Sequence, residues 1–198
     1  TTFTRTQNTE VYAGEYVLKG GNGTTMQDKS LLVAAGATTR VQGGMTLQVD
    51  TLGGISGTYG DVVLEDASKL AINSADAVTI NNAITSEGAT LTAQNATLKD
   101  LTLSGDADTT LAGGTWELKK GAISWADGAD VSLALGENTT VKVDDDTLKS
   151  VKVDAAGATL TTAKTVADSV SDLSVGTITV GNGGSVSKVD LTITGTGS

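Results

Sequence analysis

The sequence predicts an all-β fold, a right-handed parallel β-helix (β-solenoid) of roughly eight to ten turns. Three observations lead to this class: a short phrase recurs along the chain, aromatic residues are scarce, and proline is absent. We expect one solenoid segment over residues 1–198, belonging to a longer protein, with residues 1–25 as an N-terminal cap region.

The recurring phrase consists of Gly or Asn, then Ala or Thr, then a Thr that opens an alternating strand. It occurs at Gly36–Thr39, Gly88–Leu91, Asn95–Leu98, Asn138–Val141 and Gly157–Leu160. A turn and a brief strand repeated along a whole chain are typical of stacked coils. With about 20–25 residues per coil and a strand spacing of ~4.8 Å, the rod would be about 40–50 Å long.

Composition favours a thin aliphatic core. Hydrophobic residues make up 38% of the chain and aromatic residues only 3%, whereas a round core usually relies on the large buried area of Phe, Tyr and Trp. Proline cannot donate a ladder hydrogen bond, and a solenoid pairs nearly every strand on both sides. The absence of proline therefore favours a solenoid over an antiparallel sandwich.

Period-two alternation of apolar and polar residues predicts the strands in order. Met45–Val49 and Val189–Ile193 alternate in this way, and Gly, Asn, Asp and Ser between such segments predict turns. The predicted strands are Phe3–Thr6, Tyr12–Leu18, Ser30–Ala34, Thr39–Gln42, Met45–Val49, Asp61–Glu65, Lys69–Ile72, Ala77–Ile80, Thr90–Ala93, Thr97–Ser104, Thr109–Leu111, Thr115–Lys119, Ala122–Trp125, Val131–Leu135, Thr140–Val143, Ser150–Val153, Thr159–Thr162, Leu173–Val175, Thr177–Val180, Ser185–Lys188 and Asp190–Thr194.

Two segments leave alternatives open. In Thr161–Leu173 the apolar residues fall near helical spacing, which is compatible with a short helix or with one more pair of strands. Asp144–Leu148 is compatible with a turn of helix or with a plain loop.

Charge and residue content exclude several classes of function. The net charge is −10 and Arg5 and Arg40 are the only arginines, so nucleic acid, which needs basic patches, is not an expected partner. No apolar run is long enough to span a bilayer, and we expect no direct membrane insertion of this segment. The chain has no cysteine, which excludes disulfides and thiolate metal sites.

A stretch in the middle of the chain resembles the autotransporter-associated strand repeat. Thr97–Gly105 is similar to the Thr-Leu-Thr-Leu-Ser-Gly strand of that repeat, and Leu111–Leu118 to its Gly-Gly-Thr pair and following strand. Gly43–Leu47 and Gly176–Val180 are looser copies, while Asp106–Asp108 lacks the aromatic residue of the repeat's polar turn. The resemblance implies a passenger domain of a Gram-negative autotransporter, which is exported unfolded and folds outside the cell into a parallel β-helix.

Catalysis would depend on carboxylates, because the chain has neither His nor Cys. The candidate acids of a polysaccharide-active β-helix enzyme are Glu65/Asp66, Asp106/Asp108 and Asp144–Asp146. All three sets lie in turn-like sequence, where Asp is favoured for local hydrogen bonds. We therefore expect no catalytic residue and keep the polysaccharide-active enzyme as the alternative function.

Metal and cofactor sites are not expected either. Gly20–Thr25 is similar to the start of a calcium-binding nonapeptide, but Thr25 stands at the Asp position and no second copy follows. Asp144–Asp146 offers oxygen ligands for calcium, although a solvated acidic loop is the preferred interpretation. The Thr-x-Thr pairs that an ice-binding face would use are irregularly spaced: Thr90/Thr92, Thr177/Thr179 and Thr192/Thr194.

Trp116 and Trp125 are the candidate contact residues for a partner. Exposed aromatic side chains stack on sugar rings or anchor proteins, and the alternative is that each tryptophan fills the core or covers an edge. We expect a non-enzymatic scaffold or adhesin on the surface of a Gram-negative bacterium, which meets a protein or glycan of a host or neighbouring cell. Self-association through the solenoid ends, as in a fibre or cell-surface layer module, is the second alternative.

Overall fold

The computed structural model describes all 198 residues and shows a parallel β-solenoid of about nine turns without any helix. Every ladder between strands is parallel, and the single antiparallel contact is an isolated bridge between Ile55 and Thr58. The predicted fold class is confirmed. The right hand of the coil stays a prediction, in line with the strong preference of parallel crossovers for that hand.

Twenty-one strands form the coil. They are β1 (Thr2–Thr4), β2 (Asn8–Val11), β3 (Glu15–Lys19), β4 (Thr25–Val33), β5 (Thr38–Gln42), β6 (Thr46–Gly53), β7 (Asp61–Leu64), β8 (Lys69–Ile72), β9 (Val78–Ile80), β10 (Ala83–Ser86), β11 (Thr90–Leu98), β12 (Leu101–Ser104), β13 (Thr109–Leu118), β14 (Ile123–Trp125), β15 (Leu133–Leu135), β16 (Thr140–Val143), β17 (Asp146–Val153), β18 (Thr159–Thr162), β19 (Ser171–Val180), β20 (Ser185–Val186) and β21 (Val189–Gly197).

Each coil has three sides, and the strands on one side pair with the same side of the coils above and below. In the first six coils the first and second sides are formed by one long strand, such as β4 or β11, or by two short ones, such as β8 and β9. The third side there consists of β3, β5, β7, β10, β12 and β14. Beyond β14 the long strands β17, β19 and β21 instead connect the third side to the first.

Columns of inward side chains run along the axis of the stack. One column on the first side consists of Met26, Leu47, Leu70, Leu91, Leu111 and Leu135. Forty buried residues form a single cluster, so one continuous core extends through the whole stack. Burial of each such leucine contributes about 1.5–3 kcal/mol, and the contact partners come from the neighbouring coils.

The recurring phrase marks corners of the coil. Gly157 has a φ of +71° and Asn138 a φ of +53°, in the left-handed region that Gly and Asn tolerate best. The small residue that follows each of them, Ala158 or Thr139, is completely buried beneath the turn, and the next residue opens a strand. Asn95 is different, because it lies inside the continuous strand β11.

The predicted strands differ from the observed ones in two ways: two strands are missed, and some predicted bounds are wrong. No strand is predicted at Asn8–Val11 or Ala83–Ser86, yet these residues form β2 and β10. The predicted strand Thr97–Ser104 is divided between β11 and β12. Leu98 and Leu101 are both fully buried, and two residues three positions apart cannot point to the same face of one flat strand.

The helix considered for Thr161–Leu173 does not form. β18 ends at Thr162, β19 begins at Ser171, and a loop joins them. Val166 and Val170 are exposed, so the helical spacing of apolar residues does not mark a buried face here. The Thr162 and Ser171 hydroxyls lie 2.7 Å apart and tie the two ends of the loop together.

A partly buried ion pair joins the first coil, which β1, β2 and β3 form within the predicted cap region 1–25, to Asp28 in β4 of the second coil. The Asp28 side chain is 1% exposed and accepts hydrogen bonds from Arg5 Nε at 2.8 Å and Thr9 Oγ1 at 3.2 Å. Arg5 Nη2 donates to Tyr16 Oη at 2.6 Å and to Asp28. The bond to Asp28 raises the pKa of the Arg5 guanidinium. The role of residues 1–25 as a cap stays a prediction.

We predict that Arg5→Met lowers the free energy of unfolding by about 2 kcal/mol, because it leaves the Asp28 carboxylate buried without its cation. The loss stays below that of a fully buried pair because the Arg5 side chain is 37% exposed. Urea unfolding measures the change. The double variant Arg5→Met/Asp28→Val should recover most of the loss. The register partner of Asp28 on the third coil is Val49, so a valine at position 28 would stack on an apolar side chain. Equal losses in the single and double variants would contradict the pairing.

Candidate functional site

The structure separates the two tryptophans. Trp116 lies on the second side in β13 and is 0% exposed, and its indole Nε1 donates to the Ala112 carbonyl oxygen at 2.9 Å. The register places it between Ala96 and Val141 of the adjacent coils, where the small Ala96 side chain leaves room for the indole. The prediction of a surface contact is therefore wrong for Trp116, which fills the core.

Trp125 ends β14 on the third side and is half-buried. Its indole Nε1 donates to the Val131 carbonyl oxygen at 2.8 Å, and part of the ring packs against the core. The remaining exposed part could face a ligand, so a contact role for Trp125 stays a prediction.

The candidate acids Glu65 and Asp66 connect adjacent coils. Glu65 pairs with Arg40 and accepts a hydrogen bond from Gln42 Nε2 at 2.7 Å. Asp66 accepts one from the Gly43 amide at 3.2 Å. The two carboxylates therefore satisfy donors of the preceding coil.

The acids of the second candidate pair, Asp106 and Asp108, differ in their contacts. Asp108 accepts a hydrogen bond from the Ser132 amide at 2.8 Å and forms an ion pair with Lys152. Asp106 is exposed in the turn before it. Asp108 thus connects three coils, since Ser132 and Lys152 belong to the next two.

The acidic run Asp144–Asp146 forms no helix, because β17 begins at Asp146. Asp145 pairs with Lys164 Nζ at 2.8 Å and accepts from the Asp172 amide at 2.7 Å, and these bonds lower the pKa of its carboxyl. Asp146 accepts from the Gly121 amide at 3.1 Å. No cluster of three or more acidic side chains is placed to hold a metal ion.

One groove on the surface comes from an interruption of the second-side ladder. Residues 51–53 of β6 pair with β4 below, and β9 pairs with β11 above, but no ladder joins β6 to β9. Residues 54–60 leave the coil at this point in a small turn. The resulting space has a volume of about 330 Å³ and is lined by Asp50, Gly54, Tyr59, Ser74, Asp76 and Asn81, among others. We call it the Tyr59 groove.

Tyr59 is the one aromatic side chain beyond the first coil that is exposed, at 41%. Tyr59 is not among the candidate residues predicted from the sequence. The available signal is the group of glycines around it, Gly53, Gly54, Gly57 and Gly60, which interrupts the strand alternation and places an aromatic residue in the interruption.

Comparisons with known protein families, with curated proteins and with solved structures find no match for this chain. None of its segments is a helix that could cross a bilayer. The fold and the placement of individual side chains are therefore the basis for the functional proposal.

We predict that Trp116→Ala lowers the free energy of unfolding by about 3–5 kcal/mol, the usual loss for a large buried aromatic residue. Trp125→Ala should lower it by less, because that ring is only half-buried. Chemical denaturation measures both. Similar losses for the two variants would contradict their different burial.

We predict that Asp100→Asn stabilises the protein at neutral pH. Partial desolvation and the nearby Asp61 carboxylate raise the pKa of Asp100, so the folded state disfavours its ionised form, by a small amount because the residue remains exposed. The gain should be present above the folded-state pKa and should vanish as the pH falls below the unfolded value of about 3.9. Thermal unfolding across pH 3–7 tests this, with the exposed loop residue Asp168 changed to Asn as the control. A stabilisation by Asp100→Asn that persists near pH 3 would contradict the raised pKa of Asp100 as its cause.

Proposed function

We propose that this chain is a non-enzymatic segment of a Gram-negative surface protein, an autotransporter-type passenger that serves as an extracellular scaffold or adhesin. The observation that carries the proposal is the single core of forty buried residues, continuous through about nine turns. At ~4.8 Å per turn the stack is a rod of about 43 Å. Such a rod holds contact sites at a fixed distance from the surface to which it is attached.

The ionic contacts support a scaffold more than a polysaccharide-active enzyme. Arg5 pairs with Asp28, and Arg40 lies between Glu15, at 3.1 Å, and Glu65. The bond to Glu15 is the main reason that the pKa of Arg40 is raised. Both arginines thus connect coils, and most of the candidate acids accept hydrogen bonds from backbone or side-chain groups of their own or a neighbouring coil.

The partner in this proposal is a protein or glycan on a host or neighbouring cell. The net charge of −10 opposes association with strongly anionic partners through long-range repulsion. Nucleic acid remains outside the proposal for the same reason.

A fibre or cell-surface layer module is the second candidate, because the last coil presents apolar residues at an unpaired edge. β20 and β21 each have a ladder on one side only. Val186, Val189 and Leu191 are half-buried there, and Ile193 is exposed. Unpaired strand edges readily join another strand, so a further coil of the same chain or a second copy of it would pair at this edge.

Two assays on the same protein test the proposal. The wild-type chain, displayed on bacteria through an outer-membrane anchor, should increase their retention on host cells under flow. Purified wild-type chain should release no reducing ends from pectin, xylan or peptidoglycan-derived glycans above the buffer blank.

The control for the second assay is the triple variant Asp144→Asn/Asp145→Asn/Asp146→Asn. Release of reducing ends by the wild type that the triple variant lacks would reject the scaffold and establish the enzyme. Retention no greater than that of bacteria with the anchor alone would reject the adhesin role.

A further inference from the structure

We propose that the Tyr59 groove is a binding site for an uncharged pyranose sugar. The inference rests on the proposed adhesin function and names the ligand class that this function would use. Nothing in the three comparisons assigns a site to this region.

The width of the groove excludes an inserted peptide strand. Cα atoms of β6 and β9 approach within 8 Å across it. A strand inserted between them would lie ~4.8 Å from each and would require about 9.6 Å. An occupant that needs a full strand spacing on both sides is therefore excluded.

The lining groups match the chemistry of a sugar ring. Tyr59 offers a partly exposed aromatic face for the C–H face of a pyranose. Asp50 and Asp76 accept hydrogen bonds from hydroxyl groups, while Ser74 and Asn81 can both donate and accept. Leu52, Ala77 and Val78 join Tyr59 as the apolar part of the lining. Small-ligand pockets combine an apolar surface with a few placed polar groups, and about 330 Å³ lies at the lower end of their size range.

Charge decides between classes of sugar. Two carboxylates, Asp50 and Asp76, line the groove and no basic residue does. Uronic acids, sialic acids and sulfated sugars would meet uncompensated negative charge there. An uncharged sugar avoids this repulsion and gives hydroxyl donors to both carboxylates.

Tyr59 is held in place by its surroundings before any ligand arrives. Asn82 Nδ2 donates to the Tyr59 carbonyl oxygen at 3.0 Å, and Ile55 and Thr58 exchange backbone hydrogen bonds at 2.9 and 3.0 Å. A Cβ at Gly60 would lie 2.3 Å from the Ala34 carbonyl oxygen, so the end of the turn is packed directly against the preceding coil. A backbone turn that is already fixed loses little conformational entropy on binding.

Tyr12 provides a matched control. It is 64% exposed on the first coil, and its hydroxyl donates to Glu10 Oε2 at 2.5 Å. It does not line the Tyr59 groove. The same substitution at Tyr12 removes an exposed tyrosine without touching the proposed site.

The experiment is saturation-transfer NMR with maltose, cellobiose, lactose, mannobiose and digalacturonate as separate probes. At least one of the four uncharged disaccharides should bind the wild type, and digalacturonate should not. Tyr59→Ala should weaken that binding at least about tenfold, Tyr59→Phe should retain it because the ring face remains, and Tyr12→Ala should leave it unchanged. Urea unfolding confirms that each variant is folded.

The proposal is overturned if no uncharged disaccharide binds the wild type, or if folded Tyr59→Ala binds as well as Tyr12→Ala. Tighter binding of digalacturonate than of the uncharged probes would also overturn it. Any of these results together with normal retention on host cells would reject the sugar site in the Tyr59 groove but not the adhesin function. Loss of retention in the wild type would instead remove the function itself.

Discussion

In-register stacking of aliphatic side chains between coils is the contact on which the whole structure depends. A single coil cannot bury its own inward residues. Each leucine in the column on the first side is covered by the coils above and below. The number of residues per coil varies widely: Ala134 pairs with Lys152, 18 positions on, and Lys152 with Thr179, 27 positions on. The turns absorb most of this variation, and the ladders keep their register apart from a shift between Val175 and Thr177 where β19 pairs with β21.

The same constraint explains how much of the fold could be predicted from sequence. Strands such as Lys69–Ile72 bury one face of aliphatic residues, and period-two alternation identifies them. β10 is missed because its pattern is inverted: Thr85 is buried and lies 2.6 Å from the Thr109 hydroxyl, while Ile84 is only half-buried. A polar pair that satisfies itself inside the core depends on the next coil, which no local pattern shows.

The candidate site residues also divide into those whose role could be predicted from the sequence and those whose role could not. Turn-forming acids could be predicted to accept nearby backbone amides, and Asp144 and Asp146 each accept one from the next residue. The bonds of Asp66 and Asp146 to amides of a neighbouring coil could not be predicted, because no local pattern shows them. The burial of Trp116 depends on the small Ala96 one coil earlier, and sequence alone left it open. The Tyr59 groove depends on a missing ladder between β6 and β9, a property of two coils rather than of one segment. The proposed sugar site therefore lies where the stacking is interrupted.

Disulfide trapping tests the stacking most directly, because the chain has no cysteine of its own. Thr90 and Thr110 are register partners on adjacent coils, so their Cα atoms lie ~4.8 Å apart, within the roughly 4.4–6.8 Å that a disulfide spans. Thr90→Cys/Thr110→Cys should form an intramolecular disulfide under mild oxidation. The slipped pair Thr92→Cys/Thr110→Cys, about 8 Å apart, should not. Equal cross-linking of the two pairs, or none in the register pair, would contradict the stacked solenoid.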